Sequence, residues 1–401
     1  MGNITVSSAD RQHYIDWIRV LAFFLLIFFH CAMPFVTFGW EVKDQTRSVG
    51  LSRLIFWLHQ WRLPLLFFIS GVGIHFSLKN RTVLKFAGER FVRLFIPLAF
   101  AMLFTIPLQV YFEKLQEGKI SGSYAAFYPS VWTFIPYPEG TLNWSHMWFV
   151  VYLFVYCLLL LPVFALFRTR VLADWKDRFV TALSGNPITV LLLALPFIGY
   201  YFTLFLKYPI QASLVDDWFL FLFSLTFLFF GYLLGGNPRF WANCEKYRLL
   251  YAGIAVVCIV GLYYEYWWDH SMPKKKDGRI YLYGLLNAFH IWTLILAIVG
   301  FAKKYLNFSN PFLRYANEAV YPYYILHQTV IVAFGYYVVQ WPISIYMKLI
   351  ILIILCFSTV GILYHWIIKR FFLTRILYGL KVRRSGKHRE TPGAREPLNA
   401  G

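Results

Sequence analysis

The sequence predicts an all-α polytopic membrane protein with about ten transmembrane helices and both termini in the cytoplasm. Composition is the first reason, because 59% of the 401 residues are hydrophobic and only 14% are charged, far from the average of soluble domains. Aromatic residues are the second reason, since 41 Phe, 28 Tyr and 15 Trp suit a helical bundle with aromatic belts at both membrane interfaces. Both observations argue against a soluble globular fold.

The lengths of the apolar segments predict the number of helices. A helix needs roughly 20 mainly apolar residues to cross about 30 Å of hydrocarbon, and ten stretches approach or exceed that length. They cover residues 14–37, 51–78, 91–112, 147–167, 186–206, 218–235, 248–265, 281–302, 319–339 and 346–370.

The distribution of basic residues predicts the orientation. With the N-terminus in the cytoplasm, 25 of the 38 Lys and Arg residues lie in internal segments and 10 in external ones, as the positive-inside rule requires. One external run, KKKDGR at residues 274–279, opposes this assignment. Topology and contact with membrane lipids therefore explain the net charge of +19, and no nucleic-acid partner is predicted.

Residues 1–380 are predicted to form one multipass transmembrane domain, and residues 381–401 a basic, disordered cytoplasmic tail. The longest external connection, about 113–146, is crowded with aromatic residues and prolines, a composition that packs or lies at an interface. The five cysteines form no CxxC pair, so neither a disulfide framework nor a metal site is predicted.

The first span, DWIRVLAFFLLIFFH at residues 16–30, contains three residues that are costly in lipid. Arg19 and His30 are eleven residues apart, which on an α-helix is about 20° beyond three full turns and ~16 Å along the axis. Asp16 lies one turn before Arg19 and can hold its guanidinium. We expect all three on one face that avoids lipid. Alternatively, Asp16 and Arg19 reach the cytoplasmic interface, and His30 is a packing residue.

The second and third spans also contain charged or polar residues that are costly in lipid. His59 and Arg62 are one turn apart near the external end of the second span, and Ser70 precedes a glycine that suits either close packing or a ligand. Arg90 and Arg93 are one turn apart at the cytoplasmic end of the third span, where they suit a phosphate-bearing ligand. The alternatives are an Arg62 that extends to the interface and arginines that only obey the positive-inside rule.

An ordered set of motifs resembles the acyltransferase 3 family. The set is DWIR at residues 16–19 followed by His30, PLLFFISG at 64–71, the Arg90–Arg93 pair, HMWF at 146–149 and YPYYILHQ at 321–328. The resemblance spans nearly the whole chain. It implies a multipass bacterial inner-membrane enzyme that moves an acyl group from a cytoplasmic acyl-CoA to a hydroxyl of a sugar, glycan or related acceptor on the outer side. The segment around His59 and Arg62 resembles the glucan biosynthesis protein C branch, which implies succinylation of periplasmic glucans.

The resemblance and the spacing together predict the roles of individual residues. The predicted catalytic residues are His30, Arg19, Asp16 and His327. The donor, acetyl-CoA or succinyl-CoA, is expected to contact Arg90, Arg93, Arg19 and Ser70. The acceptor is expected to contact His59, Arg62, Trp148 and His146, with aromatic residues of the 113–146 connection as candidates for stacking on a sugar. No metal ligand is predicted.

A transporter or flippase is the alternative function. It would use intramembrane His and Arg residues for proton coupling or for an anionic substrate. The concentration of polar residues in the first three spans, the lack of a visible internal repeat and the ordered motifs favour the enzyme.

Overall fold

The computed structural model describes residues 12–79, 81–208, 210–268 and 278–381. Within these ranges the regular structure is helical, and the described backbone contains no β-strand, only a bridge between Pro136 and Leu142. The all-α prediction is therefore confirmed. The predicted tail beyond residue 381 and most of the basic run at 274–279 lie outside the described residues.

Each predicted apolar stretch coincides with a helix or with two consecutive helices. The main helices are α1 (His13–Phe35), α2 (Val49–Lys79), α3 (Val83–Gln116), α4 (Ser145–Leu159), α5 (Arg170–Leu183), α6 (Pro187–Thr203), α7 (Trp218–Leu234), α8 (Pro238–Lys246), α9 (Arg248–Trp267), α10 (Arg279–Tyr305), α11 (Pro311–Val338) and α12 (Ile345–Ile368). Short helical segments lie at Tyr124–Phe127, Leu161–Leu166 and Phe372–Leu377.

In the described part of the chain, 6 helices are long and apolar enough to cross a membrane, namely α1, α2, α3, α9, α10 and α12. The number rises to 8 if the bent pairs α5–α6 and α7–α8 each count as one span, with bends of 110° and 108°. The predicted count of about ten is not confirmed. Helix α4 is short, and α11 is long but carries Arg314, Glu318 and His327. The cytoplasmic location of the termini stays a prediction.

Helix α3 contains two π-helical turns, Phe91–Phe95 and Ala101–Thr105. Each turn is followed two residues later by a proline, Pro97 or Pro107. Proline has no N–H and its ring clashes with the carbonyl four residues earlier, so a wider turn lets the helix continue. The first π-helical turn carries Arg93.

Helices α2 and α7 pack backbone against backbone at two glycines. A Cβ atom on Gly71 would lie 1.9 Å from the carbonyl oxygen of Leu228, and one on Gly231 would lie 1.9 Å from that of Phe68. No side chain fits at such distances. The glycine of the PLLFFISG motif is therefore a packing contact, and α2 runs through Pro64 without interruption.

We expect Gly71→Ala to destabilise the bundle, because α2 and α7 must move apart to admit a methyl group, at a cost of about 1–3 kcal/mol or more. Gly253→Ala in α9 is the matched control, since no atom lies within 4 Å of its Cβ position and alanine favours a helix. Thermal unfolding in detergent measures both variants. A melting temperature of Gly71→Ala equal to that of Gly253→Ala would contradict the packing argument.

Candidate active site

Two polar cavities lie along α1. The smaller, which we call the arginine cavity, has a volume of about 270 Å³ and is bordered by α1, α2, α3, α4 and α11. Its polar lining residues are Arg19, Ser70, Arg90, Arg93, Asn317, Tyr321 and Tyr324. None of its lining residues, all in the described part of the chain, is acidic. Three guanidiniums in so small a space attract an anion.

Arg19 is held in place by a neighbouring helix. Its Nη1 donates to Oδ1 of Asp16 at 3.3 Å and to Oδ1 of Asn317 at 3.1 Å. The Nδ2 of Asn317 donates in turn to Oδ1 of Asp16 at 3.1 Å. Asp16 does not line the cavity, so its contribution is to orient Arg19. The interaction also joins α1 to α11.

The larger cavity, which we call the histidine cavity, has a volume of about 770 Å³. Its polar lining residues include His30, Glu41, His59, Arg62, Gln109, Glu113, Tyr137, Trp144, Ser145, His146, Trp148, Tyr324 and Gln328. Helices α1, α2, α3, α4 and α11 supply most of its wall, and the connections before α2, α4 and α7 supply the rest. Aromatic residues of the 113–146 connection, Tyr137 and Trp144, therefore line the same cavity as the predicted catalytic histidine.

A chain of hydrogen bonds determines which nitrogen of His30 carries a proton. Nδ1 of His327 lies 2.7 Å from the carbonyl oxygen of Tyr324, and a carbonyl only accepts, so this nitrogen is the protonated one. In neutral His327 the other nitrogen, Nε2, then accepts a hydrogen bond from Nδ1 of His30 at 3.0 Å. Neutral His30 is left with an unprotonated Nε2. His327 is fully buried, whereas His30 lines the cavity.

Arg62 is a buried arginine in the wall of the histidine cavity, and the residue is only 2% exposed. Its Cζ atom lies 3.7 Å from the ring centroid of Phe29, and His59 stacks on the same ring at 6.0 Å. Among the described residues, its Nε and Nη1 atoms have no hydrogen-bond partner. Burying unpaired donors is costly, so the arrangement suits a ligand that supplies an acceptor or negative charge.

A polar network occupies another part of the cavity. Nε2 of Gln328 donates to Oε1 of Glu41 at 2.6 Å and to Oγ of Ser145 at 3.2 Å. The hydroxyl of Ser145 donates to Oε1 of Gln109 at 2.9 Å, and Nε2 of Gln109 donates to Oγ1 of Thr329 at 2.6 Å. The network connects α3, α4 and α11 to the loop before α2.

The two cavities meet at Tyr324 and Phe149, which line both. The hydroxyl of Tyr324 donates to the carbonyl oxygen of His146 at 2.5 Å, and its ring is stacked on His327 at 5.9 Å. The rings of Tyr324 and Phe149, which contact each other edge to face with centroids 6.3 Å apart, therefore form the partition between the anion-attracting side and the imidazole side. A flexible chain that passed this partition would reach from one cavity to the other.

Every predicted site residue except Asp16 and His327 lines one of the two cavities, and those two are hydrogen-bonded to lining residues. The donor set of Arg19, Ser70, Arg90 and Arg93 lines the arginine cavity. His30 and the acceptor set of His59, Arg62, His146 and Trp148 line the histidine cavity. The single wall expected along α1 is thus divided, with Arg19 and His30 in different cavities. The roles of these residues stay predictions.

Several polar lining residues were not predicted from the sequence, namely Glu41, Gln109, Ser145, Asn317 and Gln328. Two of them are next to predicted site residues in the sequence, because Gln328 directly follows His327 and Ser145 directly precedes His146. No sequence feature indicates Glu41, since it lies in a connection between two spans, where a carboxylate is common.

The fold and the two cavities define a multipass membrane protein with an arginine-lined cavity next to a histidine-lined one. Residues 12–367 match the family model Acyl_transf_3, described as an acyltransferase domain. The chain therefore belongs to the acyltransferase 3 family and is a membrane acyltransferase for groups other than aminoacyl groups.

The chain is also similar to glucans biosynthesis protein C from Salmonella paratyphi A, Salmonella agona and Salmonella heidelberg. Each relative is 24% identical over 345 residues, which cover 82% of this chain and 85% of the relative. These relatives belong to the branch that the His59–Arg62 segment resembles. No solved structure matches the chain.

Proposed function

We propose that the protein transfers an acyl group from a cytoplasmic acyl-CoA, held at the arginine cavity, to a hydroxyl of a sugar or glucan in the histidine cavity. The observation that carries the proposal is that a cavity with three guanidiniums and a cavity with His30 share the residues Tyr324 and Phe149. In this proposal the arginine cavity faces the cytoplasm and the histidine cavity faces the outer side of the bacterial inner membrane.

The size of the arginine cavity indicates how the donor binds. A volume of about 270 Å³ holds phosphate groups and the start of a pantetheine arm, but not a whole CoA molecule. The adenosine therefore stays outside the bundle. From Arg19 to His30 is ~16 Å along α1, a distance that an extended pantetheine arm can cover. The thioester would then pass Tyr324 and reach the histidine cavity.

The tautomer of His30 suits it to act as the general base of the reaction. Its unprotonated Nε2 takes the proton of the acceptor hydroxyl as the oxygen attacks the thioester carbonyl. A carbon–oxygen bond forms, the carbon–sulfur bond breaks, and the proton passes from His30 to the departing thiolate, which leaves as the thiol of CoA. The unpaired N–H groups of Arg62 suit the oxyanion that develops on the carbonyl oxygen. Acetyl and succinyl are the acyl groups we propose.

The decisive experiment uses the full chain in liposomes. Radiolabelled acetyl-CoA or succinyl-CoA is added on one side and a panel of glucans on the other, and the labelled ester in the glucan is measured. We expect ester only when donor and acceptor occupy opposite sides. Glucan that crosses the membrane without gaining a label would support a transporter and overturn the proposal.

We expect Arg93→Ala to weaken CoA binding at least tenfold without unfolding the bundle, because a charge-assisted contact to phosphate is lost. Stabilisation of the protein against heat by increasing concentrations of CoA measures the affinity. Arg239→Ala is the matched control, since Arg239 is exposed at the start of α8 and lines neither cavity. Equal stabilisation of the wild type and Arg93→Ala would remove the phosphate-binding role.

A further inference from the structure

Glu41 contributes a carboxylate to the wall of the histidine cavity. It lies in the loop between α1 and α2, is half-buried, and forms no ion pair with a described residue. Its Oε1 accepts the hydrogen bond from Gln328, whereas its Oε2 is buried and has no partner in the part of the chain that the structure describes.

Gln328 presents a second unpaired acceptor. Its Nε2 donates to Glu41 and Ser145, and its Oε1 is buried with no hydrogen-bond partner among the described groups. The rest of the network is paired, because Ser145 donates to Gln109 and Gln109 donates to Thr329. Two oxygens of the network therefore have no donor among the described residues, namely Oε2 of Glu41 and Oε1 of Gln328.

A buried acceptor without a hydrogen-bond donor is destabilising, and a charged one is more so. Burial accordingly raises the pKa of Glu41 to about 7, and the neighbouring Glu113 acts in the same direction. The terminal torsion of a glutamate is soft, so a rotation of the carboxylate turns Oε2 towards the cavity. A ligand with two hydroxyl groups would supply both missing donors.

We propose that Glu41 and Gln328 form a subsite that binds two neighbouring hydroxyls of a polyol acceptor. The inference rests on the proposed function and adds the group that selects the acceptor. With only the described residues as partners, the cavity has unpaired donors on Arg62 and unpaired acceptors on Glu41 and Gln328. An acyl carbonyl oxygen therefore belongs beside Arg62, and the hydroxyls of a sugar belong beside Glu41. Glu41 is a specificity-determining residue in this arrangement.

The subsite predicts a preference among acceptors. A sugar with adjacent hydroxyls donates a hydrogen bond to both oxygens, whereas a simple alcohol or a deoxy sugar leaves one oxygen unpaired. Sites that bind a hydroxyl discriminate strongly against analogues that lack it. We expect the wild type to acylate a glucoside at least tenfold more efficiently than its singly deoxygenated analogue at the recognised position.

The test compares Glu41→Gln with the wild type in liposomes, because glutamine keeps the shape and replaces an acceptor oxygen with an N–H donor. We expect the KM for the glucan to rise at least tenfold, with kcat within about threefold and the KM for acyl-CoA unchanged. Glu117→Gln is the matched control, because this carboxylate is exposed, pairs with Lys119 and lines neither cavity.

The pH dependence provides an independent readout. Below about pH 7 the Glu41 carboxyl holds a proton and is the weaker acceptor, so the KM of the wild type for the glucan falls as the pH rises from 6 to 8. Glu41→Gln lacks this change. Comparison with Glu41→Gln is needed because other titratable or charged groups border the cavity, namely His30, His59, Arg62, Glu113, Tyr137, His146 and Tyr324.

Glucan binding in the absence of donor separates this proposal from the proposed function. Retained stabilisation by CoA shows that Glu41→Gln is folded, and Gln328→Leu is a second variant should it not fold. An unchanged glucan affinity in a folded variant would overturn the subsite while acyl transfer stands. Glucan that binds through Glu41 but is never acylated would support the subsite and contradict the proposed function.

Discussion

Replacing His30 with alanine is expected to lower acyl transfer by about 10²–10⁴-fold, the usual contribution of a positioned general base. The reason is that Nε2 of His30 is the unprotonated nitrogen at the end of a hydrogen-bonded chain from the carbonyl of Tyr324 through His327. CoA binding is expected to be unchanged, because His30 lines the histidine cavity and not the arginine cavity. Ester formation in liposomes and stabilisation by CoA measure the two effects.

His327 supplies the control for the hydrogen-bonded chain. His327→Gln retains an acceptor for Nδ1 of His30, whereas His327→Ala removes it, so the glutamine variant is expected to be at least tenfold more active. Full transfer by His30→Ala would refute the mechanism. Equal activities of the two His327 variants would refute the assigned tautomer.

Arg62→Met is expected to abolish most transfer, by about 10²–10³-fold, while leaving the protein at least as stable as the wild type. The rate of acyl transfer falls because the variant lacks a hydrogen-bond donor to the oxyanion. The stability follows from the buried Nε and Nη1 atoms, which lack partners among the described residues and whose removal relieves a desolvation cost. Methionine keeps an unbranched side chain as far as the Nε position and removes the guanidinium that lies over Phe29.

Thermal unfolding and acyl transfer by the same preparation test this prediction. Arg62→Lys is the informative companion, because it keeps the charge but loses the planar guanidinium and its stacking on Phe29, and we expect partial activity. A structural role for Arg62 would give the opposite pattern, with a marked fall in melting temperature and a proportionate fall in activity.

The positions of the helices were largely predictable from local sequence. The first span was predicted at 14–37 and the structure has α1 at His13–Phe35, because hydrophobic length is a local property. The pairing of Asp16 with Arg19 was also predictable, since both lie one turn apart on one helix. Asn317, which bridges them, was not, because it is 301 residues from Asp16 in sequence.

Glu41 shows why part of the site was not predictable. Its partners come from α4 and α11, 104 and 287 residues away in the chain. Composition and spacing describe neighbours along one helix, whereas an unpaired carboxylate is defined by what other helices place around it. The same holds for Arg62, for which the sequence left open an interfacial position and the structure places the guanidinium in the interior.

By itself, the sequence determined that this is a helical membrane protein, which motifs it carries and where polar residues lie along α1, α2 and α3, because hydrophobicity and helical period act over a few turns. Tertiary packing decided that these residues serve two cavities. Tyr324 on α11 and Phe149 on α4 meet between Arg19 and His30 and divide the face that a single helix presents as continuous. Only the contact of separate helices can create such a partition.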